Sequence, residues 1–428
     1  MIWVTVGILL GLLALSIPVS AVLGTVGFVL DQVYYGGRIY PAIGEISWGV
    51  SIDVILVAVP LFILLGEVLL RAGIAERMYE AMTHWLSWLP GGLMHSNIGT
   101  CTLFSAVSGS SVATAATIGT VAIGQIERHG YNERFFLGTI AAGGTLGILI
   151  PPSINMIVYG VLTETSIPQL YLAGMLPGVV LAGVFMLQVA VACTLRPELG
   201  GRVIESSWSA RWRSLPDLIP PLIIFIVVIG SIYAGIATPT ESAALGVIIA
   251  FILTAWRRRL TFAMLRDSIE GTMRSTAMIM AILVGAYFLN WVLSSTGLAA
   301  QVNAYVTDVG LSPMHTLIVI VLFYLVLGMF METLSMMIAT VPIITPVVVG
   351  LGFDPVWFGI LIMLLIETAM ITPPVGINLY VVQGVRGRGQ LHDVMFGAAP
   401  FVIGLLTMIV LLIAFPQIAL FVPQAVGR

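Results

Sequence analysis

Long apolar stretches separated by short polar breaks run the whole length of the chain, near residues 2–30, 50–70, 91–126, 135–163, 171–195, 217–235, 239–256, 275–294, 314–351, 357–384 and 396–416. An α-helix needs about 20 apolar residues to cross a bilayer, and most of these runs reach that length. The pattern predicts an all-α polytopic membrane protein. The 2–30 run has no basic start and is too long for a cleavable leader, so it reads as an uncleaved first membrane helix. Two runs are unlike ordinary spans. Residues 91–126 turn at Ser108-Gly109-Ser110-Ser111, and residues 314–351 turn near Met331-Glu332-Thr333. Short legs, carrying His95, Asn97 and several hydroxyls in the first case, predict two re-entrant helical hairpins. Such turns persist at membrane depth only where protein or a water-filled cavity surrounds them.

The same pattern then occurs twice. Leu149-Ile150-Pro151-Pro152-Ser153-Ile154-Asn155 interrupts one apolar run, and Ile371-Thr372-Pro373-Pro374-Val375-Gly376-Ile377-Asn378 interrupts another roughly 223 residues later. Val68/Val292, Leu69/Leu293, Gly73/Gly297, Ala75/Ala299, Pro90/Pro313, Ala116-Thr117/Ala339-Thr340, Gly174/Gly397 and Pro177/Pro400 hold the same spacing. Proline removes a backbone donor and clashes with the preceding turn, so each copy holds a broken helix. A duplicated membrane unit with a break in each copy points to a secondary transporter whose site lies at the breaks.

Arginines give the sidedness. With residue 1 inside and both hairpins re-entrant, Arg71, Arg77, Arg128, Arg134, Arg196, Arg202, Arg211, Arg213, Arg257, Arg258, Arg259, Arg266, Arg274, Arg386 and Arg388 fall in inner loops. Only Arg38 and Arg428 fall outside, so the N-terminus is placed in the cytoplasm and the C-terminus on the far side. Five crossings separate the starts of the two copies, and an odd number makes them inverted repeats. The chain then divides into a scaffold helix and interfacial loop (1–50), a first repeat (51–180; hairpin 91–126, broken helix 135–163) and scaffold helices with basic loops (181–274). A second repeat (275–403; hairpin 314–351, broken helix 357–384) and a C-terminal helix end and tail (404–428) follow.

Composition narrows the chemistry. The chain is 59% hydrophobic and 9% charged, against about 25% charged for a soluble domain. Cys101 and Cys193 have no zinc or redox spacing, and no hydrolase, metalloprotease or Walker motif is present, so the chain is not read as an enzyme. No nucleic-acid signature appears. Trp3, Trp48, Trp85, Trp88, Trp256 and Trp357 suit an interfacial belt, and Arg257-Arg258-Arg259 a topology anchor able to contact anionic lipid. Thr238-Pro239-Thr240-Glu241 reads as a capping box.

The site candidates are the two hairpin turns and the two breaks. Freed carbonyls there can bind cations, and new helix N-termini face anions. Gly143, Gly144 and Gly147 allow close backbone approach, and Thr145, Ser153, Thr368 and Thr372 add hydroxyls. An oxygen shell without fixed charge suits Na⁺, taken as the coupling ion in two or more copies. Glu332 at the second turn is a functional candidate because an intramembrane carboxylate is costly, and Glu367 lies nearby. Glu67 and Asp53 read as ordinary structural partners. No basic residue lies deep in a span, so cations and helix N-termini must supply the field for an anionic cargo.

Phe104-Ser105-Ala106-Val107-Ser108-Gly109-Ser110-Ser111, Gly147-Ile148-Leu149-Ile150-Pro151-Pro152-Ser153, Ala237-Thr238-Pro239-Thr240-Glu241 and Thr372-Pro373-Pro374-Val375-Gly376 together resemble the large membrane subunit of TRAP (tripartite ATP-independent periplasmic) transporters, over essentially the whole chain. The resemblance implies an elevator-type, Na⁺-coupled importer of small organic anions such as dicarboxylates, sialic acid or other sugar acids, in a bacterial inner membrane. It implies two partners, a four-helix small membrane subunit and a periplasmic substrate-binding protein. A binding-protein-independent dicarboxylate/sodium symporter of the same architecture is the alternative. By resemblance, one Na⁺ site comprises Ser105, Ser108, Gly143, Gly147 and Ile148, and another Gly328, Thr333, Thr368 and Met370. Substrate contacts map to Ser108 or Ser111, Ser153 and Glu332, with Asn155 and Asn378 counted beside the breaks. Glu332 stands where the family pattern equally takes Asp, and is one methylene longer.

Overall fold

The computed structural model describes residues 2–426 except Ser16, Val203, Glu205, Thr296 and residues 298–311. Helices α1 (Ile2–Ala14), α2 (Val19–Tyr35), α3 (Ile43–Ile52), α4 (Ala58–Arg71) and α5 (Ile74–Leu86) open the chain. Hairpin one is α6 (Leu93–Ser108) and α7 (Ser111–Ala122); after the short α8 (Gln125–His129), broken helix one is α9 (Glu133–Leu149) and α10 (Ile154–Thr163). Then come α11 (Ile167–Leu195), α12 (Trp208–Ser214), α13 (Ile219–Tyr233), α14 (Pro239–Trp256) and α15 (Phe262–Ser295). Hairpin two is α16 (Pro313–Gly328) and α17 (Thr333–Gly350), and broken helix two is α18 (Pro355–Met370) and α19 (Ile377–Arg386). The chain closes with α20 (Leu391–Ala414) and α21 (Gln417–Val426). Among the described residues there is no strand, and six helices are long and apolar enough to span a membrane, or up to eight if each bent pair counts as one span.

Several expectations change. The 2–30 run is two helices, not one: the chain breaks before Pro18, which cannot donate to the turn behind it. Buried Asp31 then fixes the exit from α2 by accepting from the amides of Ile39 (3.0 Å) and Tyr40 (2.8 Å). The run at 275–294 is the end of a 34-residue helix, about 51 Å long at 1.5 Å per residue, so Arg266 and Arg274 ride on α15 rather than a loop. Trp357 is buried instead of interfacial; it stacks on Phe353, and its indole N–H donates to the Leu412 carbonyl. Residues 417–426 form a helix, not a tail. Ala299 and Arg428 lie outside the described residues, as does the side chain of Trp3. The Thr238/Glu241 capping box forms as read, with Pro239 at the first helical position.

Two long contacts fix the relative direction of the repeats. Arg386 at the end of α19 pairs with Glu133 at the start of α9 (2.9 Å), and Tyr159 near the end of α10 donates to the Pro355 carbonyl at the start of α18 (2.8 Å). The broken helices therefore run antiparallel, each with its diproline near the middle. Both diproline bonds are cis. Hairpin one has its base on the Arg386 face and hairpin two on the Pro355 face, which is the inverted arrangement. α2, α4, α13, α14 and α15 pack on one another as a scaffold beside this body.

The arginine-rich face is held by ion pairs. The Arg386 side chain, 4% exposed, bridges Glu133 and Asp393 (3.1 Å), while Arg134 reaches Asp393 (2.9 Å) and Arg388 pairs with Glu127. Removing one member of a buried pair costs about 3–5 kcal/mol, and the partial exposure of both acids discounts that to about 1–3 kcal/mol. Arg386→Ala is thus expected to lower the melting temperature of the detergent-purified protein, with Arg388→Ala nearly silent; equal effects would sink this ranking.

Candidate substrate and cation sites

Proline placement decides which carbonyls are left free. In a helix the carbonyl of residue i receives the amide of residue i+4. Pro151 and Pro152 have no amide hydrogen, so Gly147 and Ile148 lose their donors; Pro373 and Pro374 do the same to Ala369 and Met370. Three of these four positions belong to the expected cation sets. In the second break Thr372 compensates in part, its amide donating to Ala369 and its hydroxyl to the Thr368 carbonyl.

Each hairpin tip rests on the break of its own repeat. A Cβ on Gly109, whose φ is +62°, would lie 2.7 Å from the Pro152 carbonyl oxygen, and one on Gly147 would lie 2.6 Å from that of Ser110. The Ser111 hydroxyl donates to the Thr145 carbonyl at 3.0 Å. In repeat two the Val375 amide donates to Met329 (3.3 Å), and a Cβ on Gly328 would meet that of Ala369 at 2.4 Å. These contacts set the depth of both hairpins at the mid-helix breaks.

A single cavity of about 410 Å³ is walled by both tips and both breaks, a size suited to a small molecule. Ser108, Ser111, Asn155, Glu332, Thr333, Ile148 and Met370 line it. Four helices begin there: the first-turn residues Ser111, Val112 and Ala113 of α7, Ile154 and Asn155 of α10, Thr333 and Leu334 of α17, and Ile377 of α19 are all in its wall. Each N-terminus brings unpaired amides and about half a positive charge. The caps are unequal. Ser110 and Ser153 cap α7 and α10 through neutral hydroxyls, α19 starts at Gly376 with no side-chain cap, and α17 is capped by the Glu332 carboxylate. Glu332 accepts from the amides of Leu334 (3.1 Å) and Ser335 (2.9 Å) and from the hydroxyls of Thr333 and Ser335. Among the described residues, Glu332 and Glu67 are the charged side chains in the wall; Glu67 is paired with Arg71.

The expected residues are sorted by this geometry. Asn155 is 5% exposed, lines the cavity, and its amide nitrogen has no hydrogen-bond partner. Ser153 is fully buried behind the wall and acts as the N-cap of α10. Asn378 also lies off the wall: its amide donates to the Ala141 carbonyl of α9 (3.2 Å), tying the repeats together. Ser105 is buried with an unpartnered hydroxyl beneath tip one, while the Ser108 hydroxyl bonds to that of Thr114 (2.9 Å). Gly143 seats α9 against Cys101 of α6, 2.9 Å from its sulfur for a built Cβ. Thr368 turns its hydroxyl back to the Leu364 carbonyl (2.8 Å). Asp53 caps its own turn at the Ile55 amide. Sequence reading missed the scaffold side of the cavity, where Gly66 and Glu67 of α4 and Ser275, Met278 and Ile279 of α15 complete the wall. Gly66 was the readable signal: it abuts the Ser108 carbonyl, 3.2 Å from a built Cβ.

The family model for the DctM component of the tripartite ATP-independent periplasmic transporter matches residues 6–418. The chain belongs to this family. It is 33% identical to the C4-dicarboxylate TRAP transporter large permease protein DctM of Rhodobacter capsulatus, covering 98% of each chain. It is 32% identical to the ectoine large permease protein TeaC of Halomonas elongata (99% of each) and 32% identical to the sialic acid large permease protein SiaM of Vibrio cholerae (86% of each). Among solved structures, the YdaH transporter of Alcanivorax borkumensis aligns with TM-score 0.60 at 16% identity over 90% of this chain and 89% of that one. MtrF of Neisseria gonorrhoeae aligns with TM-score 0.59 at 12% identity over 87% and 83%. Those two alignments support the all-helical transporter fold. This TRAP large permease is a multi-pass membrane transport component and not an enzyme.

Proposed function

We propose that this permease imports small organic anions by sodium-coupled, elevator-type alternating access. The carrying observation is the convergence of four helix N-termini, three of them without a charged cap, on one cavity that no basic side chain lines among the described residues. Backbone amides supply the attraction for the anion, as in broken-helix carriers generally. Sodium ions, co-transported as cargo, fit the proline-freed carbonyls of Gly147 and Ile148 with the orphaned Ser105 hydroxyl, and Met370 with Thr333 in the second repeat. Moving a positive charge inward through 100 mV yields about 2.3 kcal/mol, so co-moving ions drive an anion that the membrane potential opposes. The cavity lies where the hairpins and broken helices meet α4 and α15, the helices that lead into each repeat, and we take that boundary as the one across which the elevator slides. The permease works in a bacterial inner membrane with a small membrane subunit and a periplasmic binding protein, the arginine-rich face toward the cytoplasm.

Proteoliposomes holding the membrane complex, with the binding protein outside, are expected to accumulate cargo only under an inward sodium gradient. Uptake indifferent to sodium would defeat the coupling. Uptake undiminished without the binding protein would remove the need for that partner.

A further inference from the structure

A second groove, apart from the central cavity, opens between the end of α11 and the start of α20, on the arginine-rich face. It holds about 360 Å³, and most of its wall is apolar: Phe135, Ala192, Leu195, Leu199, Phe396 and Pro400. The Gln188 side-chain amide donates to the Pro400 carbonyl at 2.8 Å and joins α11 to α20 within that wall. Two arginines from different elements, Arg134 and Arg196, stand in the same wall, and no acidic side chain does among the described residues. Arg134 gives its Nε to Asp393 (2.9 Å) and keeps its two terminal nitrogens. Arg196 is exposed and makes no ion pair among the described residues. The first turn of α9, capped by the neutral Asn132, adds its unpaired amides, while Glu133 of that turn is taken by Arg386.

Two exposed apolar stripes run from this basic end along the helices. On α20 they are Phe396, Ile403 and Val410, seven residues apart; on α11 they are Leu187, Val191 and Leu195, four apart. Residues 396 to 410 cover about 21 Å of helix at 1.5 Å per residue, more than the roughly 15 Å that one leaflet contributes to the hydrocarbon core. A soluble anion would leave that track bare. A partner helix about 10 Å wide displaces more than the groove's volume in a single turn. An anionic head carrying long, thin chains matches the basic end, the volume and the track together.

We propose that this groove binds an anionic phospholipid of the leaflet on the arginine-rich face, with its phosphate at Arg134 and Arg196 and its acyl chains laid along α11 and α20. The site is independent of the cargo and of its coupling ion.

Lipid titration followed by native mass spectrometry tests it. The complex of this chain with its small membrane subunit, delipidated in detergent, receives phosphatidylglycerol or phosphatidylcholine, with sn-glycerol 3-phosphate as a chainless competitor. Phosphatidylglycerol is expected to fill one site about tenfold or more tightly than phosphatidylcholine, and glycerol phosphate to leave it in place. Arg196→Ala is expected to weaken that site about fivefold, the scale of one arginine's attraction to anionic lipid. Ala192→Phe, which fills the groove without changing charge, is expected to weaken it at least as much. Arg128→Ala, which removes an exposed arginine of the same face outside the groove, is expected to change nothing. Equal affinity for the two lipids overturns the proposal, as does a loss in Arg128→Ala equal to that in Arg196→Ala. Native affinity in both Arg196→Ala and Ala192→Phe places the lipid elsewhere and overturns it too. Displacement by glycerol phosphate makes the groove a site for free phosphate esters instead. The absence of any tight site in the complex, the result if the small subunit covers the groove, overturns the lipid as occupant.

Discussion

Gly397→Ala is expected to stop the protein accumulating in a folded form. A Cβ at Gly397 would stand 1.8 Å from the Arg134 carbonyl oxygen, and the facing Gly138 would place its own 2.0 Å from the Gly397 oxygen. α9 and α20 therefore touch backbone to backbone. Overpacking costs about 1–3 kcal/mol where side chains can rotate away. Here only helix axes can move, and parting them breaks the Arg134–Asp393 ion pair and the Phe135–Phe401 stack at 5.5 Å. The cost belongs at or beyond the top of that range. Gly404→Ala on the same helix is the control, since its Cβ meets only the flexible end of Gln188, 2.6 Å from Oε1. Fluorescence-detected size exclusion with thermal melting compares them. A Gly397→Ala protein as abundant and as heat-resistant as the Gly404→Ala protein would refute the close crossing.

Asn155→Asp is expected to reduce uptake at least 100-fold while leaving the fold intact. The residue is second in α10, where a carboxylate is favoured by the helix dipole by about 0.3–1 kcal/mol. The same carboxylate faces the cavity and opposes an anionic cargo. At about 4 Å and an effective dielectric near 20, two like charges repel by about 4 kcal/mol, roughly a thousandfold in affinity before screening. Asn155→Ala, which only removes the donor, should cost about tenfold, in line with a hydrogen bond to a charged group at about 1.5–3 kcal/mol. Initial uptake rates in proteoliposomes, with melting temperature measured alongside, give the check. A fully active Asn155→Asp carrier would mean that the cargo's negative group does not sit near Asn155.

Much of this was written locally. Pro151-Pro152 and Pro373-Pro374 must interrupt a helix wherever they stand, and the small turn Ser108-Gly109-Ser110-Ser111 must reverse the chain. The arginines marked one face, and the structure joins three of them there, Arg134, Arg386 and Arg388, through Glu127, Glu133 and Asp393. Pro18 was equally visible, and the single-helix reading of 2–30 gave its apolar length more weight than its missing donor. Trp357 went into the core, and Asn378 lies off the cavity wall, for another reason. An indole or an amide serves a lipid interface, a substrate or a buried carbonyl equally well until its neighbours are known.

The chain's order of residues settled that there would be two copies, each with a turn and a break, in opposite orientation. Proline geometry, glycine placement and apolar length are properties of a few adjacent residues, and they act before any tertiary contact forms. Only the folded arrangement decided that helices beginning at residues 111, 154, 333 and 377 share one cavity, that Asn155 faces it while Ser153 and Asn378 do not, and that α4 and α15 close its far side. Those outcomes depend on packing between segments some 200 residues apart. Small residues such as Gly66, Gly147 and Gly328 let the backbones approach, but no local pattern names the surface each one meets.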